Sequence, residues 1–311
     1  MKKRAVIALG GNALVKQGQK GTINEQFANT RESTKSIVKL IKHGWDIVIT
    51  HGNGPQVGAI LIQNKEAAHI TPPMPLGICV AKSQGFIGYM IQQCIYNSLQ
   101  REKINKSVVA LITQVIVDPN DPALSNPTKP IGPYYSEHEA KQLEQEKIKM
   151  KKTDRGWRMV VPSPDPTCIV EADIIKKMLD DGIIVIATGG GGMPVIDKKG
   201  WGLDGVEVVV DKDLASERLA SAINADLLLI LTDVEKVFLS YNKPQQKPLD
   251  TISLNELKKY YQQGHFAEGS MAPKILSAIR FLESGGQKVI ISHIDKGWEA
   301  VQGKTGTHIV Q

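Results

Sequence analysis

Apolar residues along this chain fall into two alternating patterns. Short, mainly apolar runs at residues 5–9, 46–50, 108–117, 183–188, 226–232 and 288–293 predict buried parallel strands. Between them, apolar positions three and four apart predict helices over 25–43, 76–101, 171–181, 213–224 and 271–283. Strands separated by helices imply an α/β fold: a three-layer αβα sandwich around a mainly parallel central sheet, closed by the run at 288–293.

The rhythm fails once. Pro119, Pro122, Pro127, Pro130 and Pro133 forbid a regular helix or central strand over 118–133. A charged helix over 136–148 and a hairpin at Asp154-Arg155-Gly156 extend the interruption, which ends near Pro162-Ser163-Pro164. We read residues 118–165 as a protruding lid subdomain on an N-terminal lobe, 1–210, followed by a C-terminal lobe, 211–311.

Several predicted strands end in glycine. Gly10-Gly11-Asn12 follows the first, His51-Gly52-Asn53-Gly54 the second, and four glycines at 189–192 a later one. Without a Cβ, such a turn lets a polyanion approach exposed N–H groups, and a following helix adds the positive end of its dipole. One such turn is most simply a tight bend; several at the carboxyl ends of one parallel sheet point to phosphate. Neither a Walker loop nor a dinucleotide fingerprint occurs, so another phosphate-binding architecture is required.

Phosphoryl transfer demands cations around the moving group. Lys129 lies among lid prolines, Lys212 between Asp211 and Asp213 at a helix start, and Lys274 just inside a turn that opens a helix. His51 is a turn-stabilising or substrate-side residue, since an ionised acceptor needs no base. No H-x-x-x-H spacing and no G-x-S-x-G elbow supports zinc hydrolysis or a serine triad.

Composition narrows the class further. With 41% hydrophobic and 23% charged residues, the 311-residue chain is neither disordered nor dominated by membrane spans. No run approaches about 20 apolar residues, and the start Met1-Lys2-Lys3-Arg4 enters a strand without a signal-like segment, so a cytoplasmic protein is expected. Cys79, Cys94 and Cys168 are odd in number and widely spaced, which favours reduced thiols over disulfides or zinc. The net charge of +6 is spread without basic runs interleaved with aromatics, so a small anion explains it as well as nucleic acid does.

The segments 7–12, 51–58 and 83–89, together with 126–133, 155–158, 161–164, 211–215 and 269–271, resemble the carbamate kinases of the amino-acid-kinase superfamily. The resemblance spans effectively the whole chain. It implies reversible transfer between carbamoyl phosphate and ADP, giving carbamate and ATP, with Mg²⁺, in a cytoplasmic homodimer that ends arginine breakdown. By motif, Gly10, Gly11 and Asn12 line the transferred phosphoryl group and Gly52 and Asn53 face the carbamate. Lys129 reaches in from the lid, Lys212 and Lys274 neutralise phosphates, and Asp213 holds the lysines. Asp211 is a weaker orienting or metal candidate, while Thr232, Asp233, Tyr241 and Met271 border the nucleotide.

Relatives such as acetylglutamate kinase carry lysine two residues before the first glycine, where this chain has Ala8, so Lys212 supplies that charge. Ala272 replaces a second glycine common in the family. The alternatives are a kinase of the same superfamily acting on another carboxylate-type acceptor, and a nucleotide-binding regulator without catalysis.

Overall fold

The computed structural model describes residues 3–16, 18–153 and 155–311, and of Asn12 the backbone alone. The central sheet runs in the order Thr251–Ser253, Thr307–Val310, Lys288–His293, Leu227–Thr232, Arg4–Leu9, Asp46–His51, Ile184–Ile186, Val108–Ala110. Every pairing is parallel except that of Lys288–His293 with Thr307–Val310. The mainly parallel sheet predicted from the apolar runs is therefore present, but it does not close at residue 293. Two strands of three and four residues extend it, too short to show a pattern of their own.

Alternation along the strands divides the core. Val6, Ala8, Val48, Leu228 and Ile230 face one side, with Ile175, Leu219, Ala278 and Phe281 from the helices Ala172–Asp180, Lys212–Ala222 and Met271–Glu283. Ala5, Ile7, Leu9, Ile49 and Leu229 face the other, with Leu40 and Ile91 from the helices Ile23–Lys42 and Leu76–Arg101. Both faces are covered, which is why the strands read as continuous apolar runs.

Local chemistry sets the boundaries. Thr22 and Glu25 form a capping box that starts the first helix at Ile23. Ser253 and Glu256 do the same for the helix Leu254–Gln262, which apolar spacing had not revealed. The helix Gly54–Glu66 was also missed because Gly54-Pro55 reads as a turn, although proline suits a first helical turn. The strand expected over 108–117 is two strands in different sheets. The Gln84 side chain accepts from the N–H and hydroxyl of Thr113 and donates to its carbonyl, turning the chain between them. Gln114–Val117 then joins a four-stranded sheet that contains the hairpin Met193–Lys198 and Gly202–Gly205.

The lid carries its own three-stranded sheet, Lys129–Tyr135, Gly156–Val161 and Met150–Thr153, with the helix Glu137–Gln145. The expected hairpin is present, although Asp154 lies outside the described residues. Pro130 and Pro133 are accommodated because Lys129–Tyr135 is an edge strand. Ile131 anchors it in a small apolar cluster with Val57, Leu76, Val80 and Val209.

A backbone contact fixes the lid on the helix Gly54–Glu66: a Cβ at Gly58 would lie 2.0 Å from the Cα of Gly132. Gly58→Ala is therefore expected to lose about 1–3 kcal/mol despite the better helix propensity of alanine. Gly77→Ala, whose Cβ would meet only Val206 at 3.6 Å, is the control. Chemical denaturation of both variants, with limited proteolysis of the lid, tests this; equal stability would show that the lid does not depend on the contact.

Candidate active site

The register of the central sheet places four carboxyl ends side by side. Thr232, Gly10, Gly52 and Gly189 each follow or finish neighbouring strands. Gly10 donates its N–H to Leu231 and Gly52 to Leu9, which fixes both turns to the sheet edge. The N–H groups of Gly11, Asn53, Gly189 and Gly190 donate to no acceptor among the described residues. Glycine is required at 190: its φ is +64°, and a Cβ would lie 2.1 Å from Asn53 Nδ2. Asn53 is itself held by a 2.9 Å bond from Nδ2 to Ser83.

Over these turns lies a cavity of about 180 Å³. Its lining unites Gly11, Gly52, Asn53, Lys129, Asp211, Lys212, Asp213 and Lys274, residues spread across most of the chain. Gly10 sits just beneath, against Leu231 and Thr232. Asn12 follows in a short 3₁₀ turn, and its side chain lies outside the described part. Thr232 bonds to Asp233 at 3.1 Å at the end of its strand. Met271 opens its helix and packs on the core, and Tyr241 is an exposed residue whose ring lies tilted 5.9 Å from that of Phe238; neither is among the residues that line the cavity.

The electrostatic centre is Asp213, which is buried. Its Oδ1 accepts from Lys212 at 2.5 Å and its Oδ2 from Lys274 at 3.0 Å. Burial alone would raise the Asp213 pKa; the two ammonium groups outweigh it and hold the carboxyl well below the usual carboxylate range. Burial also lowers the pKa of Lys212, in spite of Asp213. For Lys274 burial acts the same way, but Asp213 and Asp211 outweigh it and the pKa is raised.

Asp211 serves two ends. Its Oδ1 accepts from the N–H of Asp213 at 2.8 Å, capping the helix, and its Oδ2 pairs with Lys129 from the lid. Burial would raise the Asp211 pKa, and Lys129 turns the shift downwards. The Lys212 stem crosses Gly52, where a Cβ would lie 3.3 Å from its Cδ. Ala8 is fully buried in the sheet.

Gly54, in the second glycine turn, also lines the cavity, as do Arg158, Gly190 and Ser270, to which sequence reasoning gave no role. The run of four glycines was the available signal for Gly190, and the Arg155-Gly156-Trp157-Arg158 hairpin for Arg158.

The amino acid kinase family model matches residues 3–293. A carbamate kinase of Pyrococcus horikoshii is 53% identical over 313 residues, covering 99% of each chain. Among solved structures, a carbamate kinase from Giardia lamblia bound to citric acid is similar, with a TM-score of 0.95 and 43% identity over 99% of this chain and 98% of that one. The Giardia lamblia enzyme bound to AMP-PNP gives a TM-score of 0.91 and 44% identity, with the same coverage.

His51 lies beneath the cavity, fully buried, with Nδ1 3.0 Å from the Gly52 carbonyl. A carbonyl only accepts, so Nδ1 carries the proton. Burial, aided by Lys212, lowers the His51 pKa from 6.5 to about 4, and the bond to Gly52 only partly opposes this. The unfolded chain thus protonates at His51 below about 6.5, whereas the folded protein resists until about 4. Stability should fall as pH drops through that window, by up to about 3 kcal/mol from this group. His51→Asn should flatten that part of the profile in urea titrations; an unchanged slope would show that His51 does not titrate as described.

Proposed function

Because the chain belongs to the amino acid kinase family, whose members are phosphotransferases, we propose that it is a carbamate kinase. It moves a phosphoryl group reversibly between carbamoyl phosphate and ADP, giving carbamate and ATP. The observation that carries the reading is the buried Asp213 carboxylate with Lys212 and Lys274 on its two oxygens, beside the free N–H of Gly11. Whole-chain similarity to carbamate kinases supports the choice of acceptor.

The chemistry follows from the charges. Lys129, Arg158, Lys212 and Lys274 face Asp211 and Asp213, so four cations against two carboxylates leave the cavity net positive for an anion. On this reading the phosphoryl group lies near Gly11, with carbamate beyond it at Gly52 and Asn53. Lys212 and Lys274 stabilise charge on the equatorial oxygens as donor and acceptor move in line. The attacking carbamate oxygen is already ionised, so neutral His51 has no proton to take.

Mg²⁺ belongs to the substrate, arriving on the nucleotide phosphates. Among the described residues no cluster of three or more His, Cys, Asp or Glu side chains is placed to hold a metal, and Asp211 and Asp213 are turned to lysines. Phosphate oxygens and water are accordingly the expected ligands. Thr232, Asp233, Tyr241 and Met271 are assigned to the nucleotide end, within a C-terminal lobe from residue 211. The lobe before it, with its lid, serves carbamoyl phosphate.

The same reading places the reaction in arginine breakdown in the cytoplasm; no helix among the described residues is long and apolar enough to cross a membrane. It also implies a homodimer. Ile78, Tyr89 and Tyr96 lie exposed along one face of the helix Leu76–Arg101, with Ile23 and Ile112 also exposed. Such an apolar stripe suits a second copy. Sedimentation should return twice the 34.0 kDa chain mass, and Tyr89→Glu with Tyr96→Glu should return the monomer. A wild-type monomer would remove the dimer from the proposal.

ATP formation from ADP and carbamoyl phosphate is the deciding assay, with acetylglutamate, aspartate and UMP as competing acceptors in the reverse direction. Lys274→Ala should lower kcat on the order of 10²- to 10³-fold, the loss typical of one oriented donor in a closed site. Unaltered turnover would take Lys274 out of the mechanism.

A further inference from the structure

Of the four cations lining the cavity, three have carboxylates. Lys129 pairs with Asp211, and Lys212 and Lys274 share Asp213. Arg158 has no carboxylate partner among the described residues. Its side chain makes one hydrogen bond among the described residues, from Nη2 to the Gly132 carbonyl at 2.7 Å, and its guanidinium carbon lies 5.3 Å from the centre of the Tyr134 ring. Its Nε is buried and donates to nothing among the described residues. Burial lowers the pKa of the guanidinium, a sign that the charge is held in a poorly solvated place.

Its position is also specific. A Cβ on Gly54 would lie 4.0 Å from Arg158 Nη2, so the guanidinium stands against the turn that opens the helix Gly54–Glu66. Lys212 reaches the same turn at Gly52. The support beneath Arg158 is rigid: its strand pairs with Lys129–Tyr135, which carries Ile131 into the apolar cluster and presses Gly132 on Gly58. A partly desolvated cation without a counter-ion, fixed at the rim of an anion site, is costly unless the ligand supplies the missing charge.

Resting on the carbamate kinase reading, we propose that Arg158 recognises the acyl end of the substrate. Its free guanidinium N–H groups donate to the non-reacting oxygen of carbamate, or to the carbonyl oxygen of carbamoyl phosphate. Lys212 and Lys274 are left to the phosphoryl group. The planar fork of arginine suits a planar O–C–N group in a way the point charge of lysine does not. Arg158 therefore separates carboxylate-type acyl phosphates from other phosphate donors, while nucleotide affinity lies elsewhere.

The rival role is that of a strut, because the bond to Gly132 also ties two lid strands. Arg158→Gln and Arg158→Met in the full chain distinguish the two, since glutamine keeps a donor for Gly132 and methionine does not. KM is measured for carbamoyl phosphate and for ADP in turn, with thermal unfolding alongside. Both variants should raise KM for carbamoyl phosphate on the order of 10- to 100-fold, with KM for ADP within about twofold of wild type. A glutamine variant with wild-type KM for carbamoyl phosphate overturns the inference, even if the methionine variant fails to fold. The inference also falls if both KM values and the unfolding temperature shift together. Wild-type protein that makes no ATP from these substrates removes the parent reading instead, a result the variants cannot produce.

Discussion

The site depends on one carboxylate. Asp213 is buried, and two ammonium groups converge on it from different helices, Lys212 beside it in sequence and Lys274 sixty-one residues later. Without it, two buried cations would repel one another in a poorly screened place. With it, they stand as a fixed pair whose outward N–H groups are set before any ligand arrives. The rest of the fold supplies the platform: a sheet whose neighbouring carboxyl ends line up, turns that expose amides, and a helix that starts at the right edge with Asp211 as its cap.

Much of this was legible because the signals are local. Strands buried on both faces must be apolar throughout, so the runs at 5–9, 46–50 and 226–232 marked the sheet, and glycines directly after strands marked the turns. The proline-rich break marked the lid for the same reason, since no central strand tolerates such spacing. The missed pieces depend on context. Thr251–Ser253 is a strand only because Thr307–Val310 lies beside it, and 108–117 breaks in two only because Gln84 grips Thr113.

The site divides in the same way. Lys129, Lys212 and Lys274 each sat in a suggestive local setting, but nothing in their spacing states that they meet; it was the resemblance of many short segments that drew them together. Arg158 came only within a resembling segment, 155–158, with no role attached to it. An arginine in a lid hairpin usually faces water, and only three-dimensional placement shows it beside Gly54 with no acid among the described residues to neutralise it. Thr232, Asp233, Tyr241 and Met271 came with the resemblance alone, and none of the four is among the residues that line the cavity.

The contact between Lys129 and Asp211 has a thermodynamic corollary. It runs from the lid to the helix cap, so that ammonium is already satisfied when a phosphate approaches. Binding there is an exchange of one anionic partner for another rather than the capture of a bare charge. An anion that takes this ammonium must displace Asp211, a cost common to every competitor, so the contact lowers affinity without changing the ranking of anions. The same exchange would leave the Asp211 carboxylate with its capping bond to the N–H of Asp213 as its remaining tie, at the lip of the helix that carries Lys212.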